Sequence, residues 1–323
     1  MKARITGTGS YLPEKIVSND ELAKWVDTSD EWISSRTGIK KRRIAVGETV
    51  EEMATEAAKR ALENSGTAPE QIQMIIVATC SKEQCFPSIA CQVQKAVGAV
   101  LAAAFDLSAA CSGFLYALNT AHAYIKAGIY KKILIVGTEV LSELVDWKDR
   151  STCVLFGDGA GAVVVEANEQ GLDGFVQYAD GSKGDVLTCK GRRKNWFPDG
   201  EGDMEPTDSH IFMNGQEVFK FAVKKVPECI EQVLEQTGYK KGELRWYFLH
   251  QANSRIIQSV AKRLQEAEEK FPMNLMEYGN TSAASIPILL DEMNRKGELI
   301  RGDKVVLSGF GAGLTWAAAL LTW

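Results

Sequence analysis

The chain has 323 residues, of which 45% are hydrophobic and 24% are charged, and its formal net charge is −5. This globular composition suggests about two domains, or one large two-part unit, with ample chain for a buried core. Nucleic acid binding has little support, because phosphate neutralisation requires clustered Lys and Arg and no long basic run occurs. No apolar run is long enough to cross a bilayer, and the N-terminus lacks an apolar core of signal-peptide length, so no membrane association is expected.

The number and spacing of the cysteines indicate the redox state of the cellular compartment. Seven are present, an odd number, and no Cys-x-x-Cys pair occurs. A disulfide framework or a structural zinc site is therefore not expected. A reducing compartment fits best, and the sequence predicts a cytoplasmic protein with no bound metal.

Short apolar strands alternate with helical stretches along the whole chain. This alternation predicts an α/β fold with mainly parallel, covered sheets. The predicted buried strands are apolar throughout rather than alternating, and they lie at 74–79, 133–137, 162–165 and 305–308. The predicted helices cover 49–64, 218–236 and 253–269.

Two glycine-dense segments form a weak internal repeat. Residues 156–164 and 309–317 each read as a turn that feeds an apolar strand. Their glycine spacing differs from that of dinucleotide-binding and P-loop motifs, which favours tight turns over phosphate sites. We therefore predict two similar halves, over 1–170 and 171–323. The polar stretch 180–209 is predicted to be a long insertion loop.

Cys111 differs from the other thiols in its position. It lies between an extended segment of small residues, 102–110, and a predicted helix that begins at Ser112. The unpaired N–H groups and the positive dipole end of a helix start both favour a thiolate, which is the reactive form. A buried structural thiol is the alternative that the residues alone leave open.

His250 and Asn280 are candidate partners. His250 directly follows an apolar strand, and ligands bind at strand ends in open α/β sheets. Asn280 lies in a turn of small residues, 278–285, that opens another helix. Taken singly, each residue is more often a cap or a satisfied polar group than a catalytic residue.

Several short motifs, however, occur together and in one order. They are Cys-Ser-Gly at 111–113, His-Gln-Ala-Asn at 250–253, Tyr-Gly-Asn-Thr-Ser at 278–282 and Gly-Phe-Gly-Ala-Gly-Leu-Thr-Trp at 309–316. This set closely resembles the thiolase-fold condensing enzymes of the β-ketoacyl-acyl carrier protein synthase III family, and the resemblance extends over essentially the whole chain. Further matching segments are 28–33, 36–39, 86–88, 149–150 and 156–160.

The resemblance implies a fold and an activity. The fold is a five-layered αβαβα sandwich of two duplicated halves. The activity begins type II fatty acid synthesis: an acyl group passes from acyl-coenzyme A to the cysteine and then condenses with malonyl-acyl carrier protein, with release of carbon dioxide. Acyl-coenzyme A is a substrate, so no resident cofactor is expected.

The resemblance also implies catalytic roles. Cys111 would carry the acyl group, and the backbone N–H groups of Cys111 and Ala312 would form the oxyanion hole. His250 and Asn280 would stabilise the enolate formed by decarboxylation. Ala312 stands where many relatives have glycine, and Gln216 stands where asparagine is frequent, so substrate fit rather than reaction class is in doubt at these positions.

Substrate-binding residues follow from the same resemblance. Trp32 would stack on the adenine of coenzyme A, while Arg36 and Arg150 would meet its phosphates. The same tunnel mouth would include Phe219, Asn253 and Phe310. A basic patch for the acidic carrier protein would comprise Lys220, Arg255 and Lys262, although solvated helix faces explain these charges equally well.

Phe86 would close the acyl pocket of the partner subunit in a homodimer and would favour a short acyl chain. One alternative is a starter or condensing enzyme of a specialised polyketide-like pathway. A non-catalytic thiolase-fold partner subunit is another, but it is expected to lack the cysteine at position 111. The preferred starter, acetyl, branched or longer, stays open.

Overall fold

A computed structural model describes residues 1–190 and 210–323. The insertion loop predicted over 180–209 therefore lies largely outside the described residues. The strands are β1 (Lys2–Tyr11), β2 (Ile16–Ser18), β3 (Lys41–Arg43), β4 (Met74–Ala78), β5 (Ala103–Leu107), β6 (Lys132–Glu139), β7 (Gly159–Asn168), β8 (Leu172–Ala179), β9 (Leu187–Cys189), β10 (Ile211–Met213), β11 (Trp246–Leu249), β12 (Lys304–Gly311) and β13 (Thr315–Thr322).

The α-helices form the covering and the central layers of the molecule. Within the two described ranges, no helix is both long and apolar enough to cross a membrane. The helices are α1 (Asn19–Leu22), α2 (Asp30–Thr37), α3 (Val50–Ser65), α4 (Ile89–Val97), α5 (Gly113–Lys126), α6 (Gly215–Thr237), α7 (Ser254–Leu264), α8 (Leu275–Tyr278) and α9 (Ser285–Arg295).

Local capping chemistry sets the helix ends. Thr49 caps α3 and forms a capping box with Glu52, and Gly66 ends the helix at a φ of 64°. The predicted helix over 253–269 is too long, because α7 ends at Leu264. The cause is Gln265, which adopts the left-handed conformation at a φ of 57° and terminates the helix.

Two large mixed sheets organise the chain, in the orders β1-β7-β6-β4-β5 and β11-β12-β13-β8. In the first, β4 pairs in parallel with β5 and β6, whereas β7 is antiparallel to β6 and β1. In the second, β11 and β12 are parallel, whereas β13 is antiparallel to β12 and β8. The prediction of mainly parallel sheets is therefore wrong, because β7 and β13 each run back along the preceding strand.

The two sheets share one topology. The order β1-β7-β6-β4 in the first corresponds, strand by strand and in direction, to β8-β13-β12-β11 in the second. This correspondence is the pattern that a duplicated α/β unit produces. The division into 1–170 and 171–323, which falls between β7 and β8, stays a prediction.

The helices complete five layers. Helix α3 covers the outer face of the first sheet, and α6 covers the outer face of the second with α7 packed against it. Helices α5 and α9 contact strands of both sheets and form the layer between them. Three apolar cores result, one under each outer layer and one around the central helices. The central layer matters most for function, since it carries the starts of α5 and α9 into the interior.

The packing of α9 on β7 can be tested at Gly161. A Cβ at this position would lie 2.6 Å from the backbone nitrogen of Ile288 and 2.8 Å from the carbonyl carbon of Pro287. Gly161→Ala should therefore lower the free energy of unfolding, measured by chemical denaturation, by about 1–3 kcal/mol. The control Gly242→Ala adds a methyl group that meets nothing within 4 Å, so equal losses in both variants would contradict this account.

Candidate active site

Cys111 lies in a sharp turn between a strand and a central helix. Strand β5 ends at Leu107, a short 3-10 helix covers Ala110–Ser112, and α5 begins at Gly113. Ala110 has a φ of 46°, a conformation uncommon outside glycine that bends the backbone immediately before the cysteine. Cys111 is thereby placed at the carboxyl end of the first sheet and at the start of a helix in the central layer, where ligands bind in such folds.

The turn after β12 lies against Cys111. A Cβ on Gly311 would be 2.6 Å from the Cys111 backbone nitrogen, so this close approach requires glycine. The Thr315 hydroxyl at the start of β13 lies 2.6 Å from the Ser112 hydroxyl and fixes the two segments together. Ala312 follows Gly311 and is free of the positive φ seen at Ala110. The two amides predicted to form an oxyanion hole thus belong to touching segments.

His250 follows β11 and is buried. Its backbone N–H donates to the Ser308 carbonyl (2.9 Å), and its Nδ1 lies 2.7 Å from the Ser285 hydroxyl. Burial lowers the pKa of His250 to about 3, so the ring is neutral near pH 7. Because Ser285 occupies Nδ1, Nε2 is the ring atom available to a substrate. Phe310, predicted at the tunnel mouth, lies 4% exposed with its ring centroid 5.5 Å from that of His250.

Asn280 is fixed by hydrogen bonds on three sides. Its backbone N–H donates to the Leu155 carbonyl (2.8 Å), and its carbonyl accepts from the Gly157 N–H (3.1 Å). Its side-chain Oδ1 accepts from the Ser282 backbone N–H (2.9 Å). The amide nitrogen Nδ2, with its two hydrogens, is therefore the part of the side chain that can bind a substrate oxygen.

The turn 280–285 connects all three candidate residues. It contains Asn280, its Ser282–Ala284 segment packs against the Ala110–Ser112 turn that carries Cys111, and it places Ser285 on His250. The sequence analysis singled out this turn but assigned no role to Ser282 and Ser285. The sequence could have indicated both residues, because each carries a hydroxyl group near the start of a helix that follows a candidate catalytic residue.

Burial dominates the electrostatics of Cys111. It raises the pKa of the thiol to about 12, against the opposing effect of the Ser282 hydroxyl and the Cys111 backbone N–H, while Glu139 raises it further. The backbone N–H at the helix start lowers this pKa, in the predicted direction, but desolvation of the buried thiol outweighs it. The reactive thiolate at Cys111 stays a prediction.

The residues predicted to bind coenzyme A cluster at the surface around Trp32. This half-buried ring lies on α2, and the guanidinium carbons of Arg36 and Arg150 are 4.6 and 5.2 Å from its centroid. The Asn253 side chain donates to the Arg36 carbonyl (3.0 Å) and so joins α7 to this group. The cluster presents an aromatic face beside two cations, which suits a nucleotide with phosphates.

The residues of the predicted basic patch lie on α6 and α7. Lys220, Arg255 and Lys262 are exposed, and Lys220 forms an ion pair with Glu217 (2.9 Å). The Arg255 guanidinium carbon is 5.8 Å from the centroid of the half-buried Phe219 ring. The patch is therefore adjacent to one of the residues predicted to bind coenzyme A.

Phe86 is on the surface of the single chain. It is 84% exposed and lies three residues before Ile89, whose backbone N–H donates to Asp106 of the edge strand β5 (3.0 Å). Val100 (70% exposed) and Leu101 (82% exposed) precede the same strand.

Comparison with known proteins identifies the family. Residues 105–184 match the 3-oxoacyl-[acyl-carrier-protein (ACP)] synthase III family, and residues 234–323 match the family of its C-terminal part. The chain is 52% identical over 321 residues to a β-ketoacyl-[acyl-carrier-protein] synthase III of Clostridium acetobutylicum, covering 99% of this chain and 98% of that protein. The chain belongs to the β-ketoacyl-[acyl-carrier-protein] synthase III family.

Solved structures agree with this assignment. The crystal structure of 3-oxoacyl-[acyl-carrier-protein] synthase III from Aquifex aeolicus is 47% identical, with a TM-score of 0.93 over 99% of this chain and 100% of that one. The priming β-ketosynthase of the R1128 polyketide pathway is 36% identical, with a TM-score of 0.94 over 99% of this chain and 96% of that one. As a synthase III, the protein has the thiolase-like fold and is an acyltransferase.

The ionisation of His250 gives a prediction on pH. Because its pKa in the folded protein is about 3, its ring NMR signals, assigned by their loss in His250→Gln, should stay constant from about pH 8 to pH 5. An unfolded histidine takes up a proton below about pH 6.5, so this residue should lower stability progressively as pH falls below that value. A midpoint between about pH 6 and 7 for the assigned signals would contradict the neutral ring.

Proposed function

We propose that this protein catalyses the initiating condensation of type II fatty acid synthesis, with Cys111 as the acyl carrier. An acyl group passes from acyl-coenzyme A to the cysteine, and it then condenses with malonyl-acyl carrier protein to give 3-ketoacyl-acyl carrier protein and carbon dioxide. One observation carries the proposal: the turn 280–285 contains Asn280, packs against the Ala110–Ser112 turn that carries Cys111, and contacts His250 through Ser285.

The first half of the reaction is acyl transfer. The Cys111 thiol loses its proton as the sulfur attacks the thioester carbonyl and a carbon–sulfur bond forms. The bond to the coenzyme A sulfur then breaks, and coenzyme A takes up a proton and leaves as a thiol. The tetrahedral intermediate carries a negative oxygen, which the backbone N–H groups of Cys111 and Ala312 stabilise. The approach of Gly311 to Cys111 supports this pairing of amides.

The second half forms the carbon–carbon bond. Malonyl-acyl carrier protein loses carbon dioxide, and its thioester oxygen takes the negative charge of an enolate. His250 donates to that oxygen from Nε2 and Asn280 donates from Nδ2, because their other polar atoms are occupied. When Nδ1 accepts from the Ser285 hydroxyl, the single proton of the neutral imidazole lies on Nε2, which makes this atom a donor. The enolate carbon then attacks the acyl-cysteine, and Cys111 leaves as thiolate.

The substrates enter along the surface cluster. Trp32 binds the adenine ring, and Arg36 and Arg150 bind the phosphates. Phe219, Asn253 and Phe310 line the way to Cys111, with Phe310 at the inner end against His250. The chemistry uses acyl-coenzyme A as a substrate and needs no resident cofactor.

A homodimer completes the proposal. An edge strand with exposed apolar neighbours presents unpaired backbone groups that a second copy can cover by strand pairing. Phe86 then enters the acyl pocket of the partner and favours a short starter. Cys80, Cys85, Cys91, Cys111, Cys153 and Cys229 form no disulfide, which supports a reducing location, the cytoplasm.

Intact-protein mass spectrometry tests the acyl carrier. After incubation with acetyl-coenzyme A the protein should gain one acetyl group, and Cys111→Ser should form ketoacyl product at a strongly reduced rate. Cys91→Ser is the matched control and should acylate normally.

His250→Ala and Asn280→Ala should still acylate but decarboxylate about 10²–10³-fold more slowly. Competing acetyl-, isobutyryl- and longer acyl-coenzyme A identifies the starter; a normal product rate from Cys111→Ser contradicts the proposal.

Steady-state kinetics test the basic patch. Reversing two charges in Arg255→Glu/Lys262→Glu should raise KM for malonyl-acyl carrier protein, and the effect should shrink at high salt because exposed charges are screened. Acylation by acetyl-coenzyme A should be nearly unaffected. The control Lys126→Glu changes an exposed lysine in the last turn of α5. A similar rise in KM in the control would show that net charge, rather than the patch, is responsible.

A further inference from the structure

A buried cation, Arg42, lies beside the chain segment that carries Asn280. It belongs to β3, and its side chain is fully enclosed by the fold. In the described parts of the chain its guanidinium donates to three neutral oxygens: the carbonyls of Val17 (3.2 Å) and Val154 (2.8 Å) and the Oδ1 of Asn19 (2.9 Å). Burial lowers the pKa of Arg42 to about 10, so the group stays charged near pH 7. The guanidinium therefore joins three chain segments that an apolar side chain of similar volume would leave unconnected.

One of these segments holds the backbone of Asn280. Arg42 binds the Val154 carbonyl, and the carbonyl of the next residue, Leu155, accepts from the Asn280 backbone N–H (2.8 Å). The Gly157 N–H in turn donates to the Asn280 carbonyl (3.1 Å). Both backbone polar groups of Asn280 are therefore held by a short segment that begins at the residue to which Arg42 donates.

The aliphatic part of Arg42 packs against the same place. A Cβ on Gly157 would lie 3.2 Å from the Arg42 Cβ, and a Cβ on Gly279 would lie 3.3 Å from it. Gly279 has a φ of 69°, a conformation that favours glycine and that sets the direction in which the chain enters Asn280. Arg42 thus supports both the residue before Asn280 and the segment that pairs with it.

The buried amide of Asn19 orients the guanidinium. Its Oδ1 accepts from Arg42, while its Nδ2 donates to the Ile39 carbonyl (2.8 Å) and to Oδ1 of Asp30 (2.8 Å) at the start of α2. The amide therefore lies between the cation of Arg42 and the carboxylate of Asp30. Because Asn19 keeps both of these donor bonds without Arg42, loss of the guanidinium should leave α2 and Trp32 in place.

We propose that Arg42 is a positioning residue that holds the Asn280 side chain in the orientation needed to decarboxylate malonyl-acyl carrier protein. Because Arg42 is fully buried, it acts through Asn280 rather than on the substrate. A displacement of about 1 Å at a group that binds the transition state can cost about 10²-fold in rate. The inference rests on the proposed function, in which Asn280 stabilises the enolate. Acyl transfer to Cys111 does not use Asn280, so it should be spared.

Measuring the two half-reactions separately tests this role. Arg42→Met keeps an apolar stem but removes all three hydrogen bonds. Acetylation of Cys111 by acetyl-coenzyme A should be nearly unaffected. Single-turnover release of carbon dioxide from malonyl-acyl carrier protein, expressed per acetylated cysteine, should fall about 10–10²-fold. Because only folded molecules acetylate, this normalisation excludes unfolded protein. If Arg42→Met does not fold, Arg42→Lys keeps the charge but lacks the planar fork, and it should show the same selective loss.

A double-mutant cycle shows whether the effect passes through Asn280. If it does, adding Arg42→Met to Asn280→Ala should slow decarboxylation no further, because the group that Arg42 positions is already gone. Arg43→Met is the matched control. Arg43 lies on the same strand, but its side chain donates to the carbonyls of Pro13 (3.1 Å) and Glu14 (3.4 Å), so this variant should leave both half-reactions unchanged.

Three results would overturn the role of Arg42: a normal decarboxylation rate in Arg42→Met, equal slowing of both half-reactions, or the full additional slowing in the double variant. The last two would leave Arg42 a general structural residue. A normal decarboxylation rate in Asn280→Ala would instead refute the proposed function of Asn280 itself.

Discussion

The contact between two turns, Ala110–Ser112 and 280–285, is the constraint on which the site depends. Each turn lies at the start of a central helix, and the two sheets enclose both. A turn that moved by an ångström would separate Ser285 from His250 and disturb the packing of Ser282–Ala284 on Ala110–Ser112. The two sheets thus hold the starts of two central helices in close contact.

Burial of this contact decides the charge states of the site. It lowers the pKa of His250 and raises that of Cys111, against the favourable end of a helix dipole. A neutral histidine is an appropriate donor to an enolate oxygen, whereas a thiol of raised pKa is harder to ionise. The same desolvation therefore favours the proposed role of His250 and opposes the effect of the helix start on Cys111.

The repeated topology explains why the chemistry is shared between the halves. Cys111 follows β5 of the first sheet, whereas His250 and the Ala312 turn follow β11 and β12 of the second. Because the Ala110–Ser112 turn packs against β12 and against the turn that begins α9, residues far apart in sequence meet in one site. The predicted nucleophile and the predicted enolate-binding residues lie in different predicted halves.

The sequence by itself determined the family, the buried strands and the helix starts, because these depend on short local patterns such as the capping box at Thr49. It also selected Cys111, His250 and Asn280 as a set, since each lies in a compact motif. Only the tertiary structure decided the antiparallel strands, the early end of α7 at Gln265 and the raised pKa of Cys111. Strand direction, left-handed caps and desolvation depend on contacts between distant segments.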